Sequence, residues 1–217
     1  MNIRKTIALA LALAAIGPGV ASASTLVLDT GTPPLDAQGN PTTSLAQLNT
    51  ADWYAAEVYL SAGETVTQLA AYMYQGVGGP SGSFTWDIYS SSNFTANSHI
   101  SPLYSDTAGV FNTSNSWNST AVNWTPTTSG YYWVALQVSS TSQTRGIDLP
   151  LESSATSGSL PATAFAFAGT NHQYNLSSNG FGIEVSAVPL PAAIWLLGSG
   201  LMGLGLVGRR RREEPTA

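Results

Sequence analysis

The triplet Asp29-Thr30-Gly31, which follows the apolar Leu26-Val27-Leu28, has the residue types that present the carboxylate of an aspartic protease. That chemistry needs two carboxyl groups sharing one proton so that a water between them is activated. The chain carries one such triplet, and a homodimer would have to supply the second. The same three residues are ordinary turn chemistry, since Asp bonds nearby backbone and Gly accepts positive φ at no steric cost. His99 and His172 are the other candidates for a base or a metal ligand. Neither stands at zinc-site spacing from another His, Cys or carboxylate. Asp36, Gln38 and Asn40 set oxygen side chains at alternate positions, a pattern Ca²⁺ would use. A single carboxylate and no downstream Glu favour a plain turn there. The chain lacks a Gly-x-Ser-x-Gly nucleophile elbow and a phosphate loop, so the common hydrolase and nucleotide-binding signatures fail. The expectation is a protein that is not an enzyme, has no cofactor, and could take Ca²⁺ at most, at no nameable residue set.

Recognition is better supplied than catalysis. Trp53, Trp86 and Trp133 lie inside apolar strand patterns and are expected in a core. Trp117 and Trp124 differ, because Asn115-Ser116-Trp117-Asn118-Ser119 and Asn123-Trp124-Thr125-Pro126 surround the indoles with amides and hydroxyls. A flat aromatic face beside hydrogen-bonding groups fits the apolar face of a sugar ring. These two tryptophans are the candidate glycan-binding residues.

The elements that must position them read as strands. Residues 53–60, 66–74, 83–89 and 131–138 are rich in β-branched and aromatic residues and are separated by turn residues. In 83–89, Phe84, Trp86 and Ile88 alternate with Ser83, Thr85 and Asp87, which predicts one face on a core and one in water. Further strands are expected near 25–28, 121–124, 164–168 and 181–186. The Ser/Thr/Asn-rich stretches 90–118 and 139–159 read as long loops. Seven or more short strands predict an all-β fold, an antiparallel β-sandwich of jelly-roll type, over residues 24–187.

Charge limits the partners. Between residues 24 and 187 the only basic side chain besides the two histidines is Arg145, against a larger set of carboxylates. Such a surface cannot neutralise phosphates, which makes nucleic acid and anionic lipid surfaces poor partners and favours cations or neutral glycans. The chain has no cysteine, so disulfides do not staple the fold and a lipid-modified cysteine does not anchor it.

Both ends carry addresses. Arg4 and Lys5 precede an apolar run over 7–16, and Ala21-Ser22-Ala23 has the small-residue pattern that signal peptidase accepts. Residues 1–23 are therefore expected to be a cleaved signal peptide. No charged side chain occurs from Val188 to Gly208, about the 20 residues a helix needs to cross the hydrocarbon core. A transmembrane helix is expected over 192–208. Arg209, Arg210, Arg211 and Arg212 follow it, marking the cytoplasmic side, with 213–217 as a cytoplasmic tail.

Val188-Pro189-Leu190-Pro191-Ala192, the apolar span and the arginine cluster together resemble the PEP-CTERM sorting signal in its VPLPA-type variant, with Leu190 where the parent motif carries Glu. The resemblance covers 188–212. It implies recognition and cutting at the Pro-bearing motif by an exosortase, a membrane-embedded thiol peptidase, and delivery to the cell envelope or extracellular matrix. The middle of the chain loosely resembles the exported choice-of-anchor β-sandwich domains. That likeness rests on the order of Ala55-Ala56-Glu57-Val58-Tyr59, Trp86-Asp87-Ile88-Tyr89-Ser90, Gly130-Tyr131-Tyr132-Trp133-Val134-Ala135-Leu136 and a closing strand that runs into the anchor. The function expected from these readings is a surface or exopolysaccharide-matrix protein with a structural or adhesive role. The alternatives are a carbohydrate-binding module and, more weakly, a secreted hydrolase.

Overall fold

Side-chain alternation decides the architecture. In a strand successive side chains point to opposite faces. In 84–88, Phe84, Trp86 and Ile88 are all buried and share one face. In 54–60, Tyr54, Ala56, Val58 and Leu60 do the same. The computed structural model describes residues 23–49, 52–75, 83–91, 101–108, 115–138, 147–152, 158–169 and 174–189. Among them lie thirteen strands and no α-helix: β1 (Thr25–Asp29), β2 (Ser44–Gln47), β3 (Trp53–Leu60), β4 (Thr65–Gln75), β5 (Phe84–Ser90), β6 (Tyr104–Ala108), β7 (Ser116–Trp124), β8 (Gly130–Gln137), β9 (Ile147–Glu152), β10 (Phe165–Ala168), β11 (Tyr174–Ser177), β12 (Gly180–Phe181) and β13 (Ile183–Val188). Residues Ser24–Pro189 form one compact unit, the second of two into which the chain divides. All of the strands belong to the second.

Every pairing is antiparallel, and the strands form two sheets. One runs β1-β13-β4, with β7 on the other edge of β4, and β9 pairs with the end of β4 while carrying β2 and β12. The other runs β11-β10-β3-β8-β5-β6. A single core joins them. Val66, Leu69, Ala71 and Met73 of β4, Ile183 and Val185 of β13 and Val122 of β7 meet Tyr54, Ala56, Val58, Trp86, Ile88, Val134 and Leu136 of the opposite sheet. The three-residue step from Val66 to Leu69 is made possible by a register shift between Val66 and Gln68, which returns the larger residue to the core face. The Trp86 indole N–H crosses the layer to the Thr120 hydroxyl on β7 at 3.1 Å. It thereby meets its hydrogen-bonding need inside an otherwise apolar interior.

The all-β expectation and the two-sheet arrangement agree with what the sequence predicted. The long-loop expectations do not hold throughout. Within 90–118 lie β6 and the first residues of β7, and within 139–159 lies β9. β7 is polar because its outward face carries Ser119, Ala121 and Asn123, all exposed. β9 contains Pro150, yet it pairs through that position with Leu45 of the short β2. β2 and β11 also went unforeseen, each being a four-residue edge segment with little apolar content.

Candidate functional site

Trp117 and Trp124 both stand on β7, at its two ends. β7 is an edge strand paired with β4 alone, and its inward residues are Val122, which is buried, and Thr120, which receives the Trp86 N–H. Trp124 shares that inward face. It is half-buried, packs against the core, and meets Tyr132 edge-on at 5.3 Å and 75°. The Tyr132 hydroxyl in turn donates to the Thr128 carbonyl, which fixes the turn between β7 and β8. Trp124 therefore serves the interior. Trp117, at the other end of the strand, faces outward with its partner Tyr72, which lies outside the core cluster, whereas Trp124 pairs with the core residue Val66. Trp117 meets Tyr72 edge-on at 5.8 Å and 84°, and its indole N–H donates to the Thr32 hydroxyl at 3.2 Å. The two rings cannot form one binding platform.

Trp117 has carboxylates on its own face. The register sets Ser119 of β7 opposite Ala70 of β4, Ala70 opposite Glu184 of β13, and Glu184 opposite Asp29 of β1. One row across the sheet thus reads Ser119, Ala70, Glu184, Asp29, and the next holds Trp117 beside Tyr72. Two like charges directly opposite in a ladder repel. Burial first, and then the charge of Asp29, push the Glu184 carboxyl above its ordinary range. Asp29 moves the other way. Burial acts to raise it, but the Ser159 hydroxyl at 2.8 Å, the Ser159 amide at 3.2 Å and the Gly31 amide at 2.9 Å donate to its carboxylate and hold it below the usual value.

These bonds settle what Asp29-Thr30-Gly31 does. Gly31 has φ 86°, the Asp29 backbone exchanges hydrogen bonds with Leu160, and the buried Thr30 hydroxyl donates to the Phe181 carbonyl while receiving the Ile183 amide. The triplet closes the end of β1 onto β13 and the 158–160 segment. Its carboxylate faces Glu184 rather than a second Asp-Thr-Gly. The Asp36 loop is also a closed turn. One carboxylate oxygen takes the Gln38 and Asn40 amides at 2.9 and 2.8 Å, the other takes the Asn40 side-chain amide at 3.1 Å, and Gly39 adopts φ 79°. Those donors, the Asn40 amide foremost, hold Asp36 below its ordinary value. Among the described residues no group of three or more His, Cys, Asp or Glu side chains could hold a metal ion.

One group was overlooked. Asp87 belongs to the face of β5 that the alternation assigned to water, yet it is only 4% exposed. The outer face of the six-stranded sheet carries a second buried cluster of Ala55, Tyr89, Trp133, Ala135 and Ala166, with Tyr174 packed on it. Gln137 donates to the hydroxyls of Tyr89 and Tyr174, each at 2.8 Å. Burial pushes the Asp87 carboxyl up, offset in part by a hydrogen bond from Ser105. The clue in the sequence is Trp133 and Tyr89, bulky residues at outward positions of strands whose other face is already apolar.

Of the terminal signals, Ala23 begins the described residues and is exposed, Val188 is the last residue of β13, and Pro189 follows it. Ala21, Leu190, Pro191, Ala192, the expected helix over 192–208, Arg209–Arg212 as a cluster, His99 and His172 all lie outside the described residues. No described helix is long and apolar enough to cross a membrane. No known family's sequence profile matches the chain, and no curated protein is similar to it.

Proposed function

We propose that the chain is an exported protein sorted to the cell surface or exopolysaccharide matrix, where it does structural or adhesive work. In this reading signal peptidase cuts after Ala23, the single C-terminal helix over 192–208 holds the chain in the membrane with Arg209, Arg210, Arg211 and Arg212 inside, and an exosortase-like thiol peptidase acts at Val188-Pro189-Leu190-Pro191-Ala192. The observation that carries it is the span of the folded unit, Ser24–Pro189, which begins directly after Ala23 and ends two residues into the Val188–Ala192 motif. The strand order supports a jelly roll. β1, β13, β4 and β7 form one layer and β3, β8, β5 and β6 the other, the order that two nested Greek keys produce, with β9 to β12 inserted before the last strand.

A second reading, carbohydrate binding, has one observation in its favour. Trp117 keeps an outward ring, braced by Thr32 and Tyr72, on the sheet face that also carries Ser119, Glu184 and Asp29. An outward ring on a face that carries hydroxyl and carboxylate groups suits a neutral sugar. Trp124 plays no part in it.

The absence of native cysteine makes the topology testable. Thr127→Cys, on the exposed turn between β7 and β8, and Thr216→Cys, in the tail, are expressed separately in a host without the sorting peptidase. A membrane-impermeant maleimide should label Thr127→Cys in cells with permeable outer layers and Thr216→Cys only after lysis. Labelling of both only after lysis would end the proposal.

A further inference from the structure

The first and last strands of the folded unit are neighbours. Thr25 pairs with Ala187 and Leu26 with Ser186, while on the other side of β13 Ala187 pairs with Val66 and Val188 with Thr65. Strands in a sheet are about 4.8 Å apart, so the chain enters and leaves the unit side by side. Side chains fasten the same place. The Ser24 and Thr67 hydroxyls are 2.9 Å apart, and the Thr67 hydroxyl also donates to the Ser186 carbonyl at 3.3 Å. Ile183, Val185 and Ala187 are each 0% exposed. β13 is therefore an interior strand whose last residues are held from both sides.

We infer that the fold fixes where the C-terminal tail is cut: the bond severed lies C-terminal to Pro189. That the tail is cut, and by which peptidase, rests on the sorting reading above; the end of the protected fold does not. A peptidase takes its substrate as an extended segment with free backbone donors and acceptors, in the manner of an added strand. Up to Ala187 those groups are already committed to β1 and β4. Pro189 is the first residue beyond the ladder, and its ring removes one further donor. Cutting there exchanges the amide C–N bond for a C–O bond to water, through a thioester on the peptidase cysteine whose thiolate leaves as water adds. The departing amine takes up a proton and becomes the N-terminus of the anchor fragment. Nothing of the sheet is lost. A cut before Val188 would instead strip residues from between β1 and β4.

The test uses the chain from Ser24 to Ala217 in detergent micelles, digested with a protease of broad specificity, and reads the C-terminal end of the resistant material by mass. The expected end lies within 189–193, and an end upstream of Val188 in material that stays folded overturns the inference. Two shortened full-domain chains give an independent measure. One ending at Pro189 should melt within about 2 °C of the full chain, and one ending at Val185 should melt at least about 5 °C lower or lose its cooperative transition. Equal midpoints for the two refute the inference. The two proposals fail separately. If cells with the peptidase leave the tail intact while digestion still stops at 189–193, the sorting reading falls and the boundary stands; if the peptidase cuts upstream of Val188 and releases a folded product, the reverse holds.

Discussion

Replacing Trp117 and Trp124 by alanine, one at a time, separates the outward ring from the inward one. Trp124 packs against the core and makes an edge contact with Tyr132. Truncation of a fully buried Trp costs about 3–5 kcal/mol, so the half-buried ring accounts for roughly 2 kcal/mol, and the lost aromatic contact adds about 1 kcal/mol. For Trp117, also partly buried but outside the core cluster, the losses are a little apolar area on the outer face, the edge contact with Tyr72 and one exposed hydrogen bond to Thr32, together about 1–2 kcal/mol. A domain of this size shifts its melting midpoint by roughly 2–4 °C per kcal/mol. Trp124→Ala is then expected to melt about 6–12 °C below the parent and Trp117→Ala about 2–8 °C below, with Trp124→Ala always the lower. All described strand pairs lie within Ser24–Pro189, so that fragment suffices, followed by circular dichroism on heating. Retention on immobilised polysaccharides reports the other property: any binding should disappear in Trp117→Ala and survive in Trp124→Phe. Equal midpoints, or a larger loss for Trp117→Ala, would refute the assignment of faces.

Other perturbations test the rest of the account. Trp86→Phe removes the only indole N–H shown bonding to Thr120 and should cost about 1–3 kcal/mol in thermal or urea unfolding, since the hydroxyl loses its partner and the core gains a void. Glu184→Gln should stabilise the protein at pH 7. The folded-state carboxyl of Glu184 is raised, so its ionised form costs stability above the folded value and nothing below the ordinary value near 4.3; the gain should vanish as the pH falls below about 4. Gly158→Ala should be strongly destabilising, because a Cβ there would overlap the Asp29 carbonyl oxygen and the Gly31 nitrogen. Backbone on both sides must move, and a cost of about 2 kcal/mol or more is expected in chemical unfolding; a neutral result would mean that the 158–160 segment is not seated against β1.

Much of the fold was legible where local pattern and tertiary environment agree. β3 begins and ends where Trp53–Leu60 suggested, and β5 and β8 differ from expectation by one residue at each end. In these strands one face is apolar throughout, so period two is visible in the sequence. β6 and the start of β7 were hidden because edge strands gain most of their stability from long-range pairing and carry Ser, Thr and Asn outward, and β9, an interior strand, was hidden by Pro150 within it and by the Ser/Thr-rich residues on either side. That omission had a consequence for the candidate site. Reading 90–118 as loop conceals that Trp117 and Trp124 belong to one strand, and only their register against Tyr72 and Val66 of β4 sets them on opposite faces. Asp87 shows a different limit. Alternation gives the face but not what lies on it, and the second cluster around Trp133 and Tyr89 buries a carboxyl that the pattern assigns to solvent.

The most direct measurement is the intact mass and location of the full chain, expressed in a host with a matching exosortase and in the same host lacking it. The account predicts that the enzyme alone converts a membrane-held chain into a released one that begins at Ser24 and ends after Pro189, within the Val188 to Ala192 motif. A full-length tail in the membrane of both hosts would contradict sorting, and leave a permanently anchored surface protein in its place.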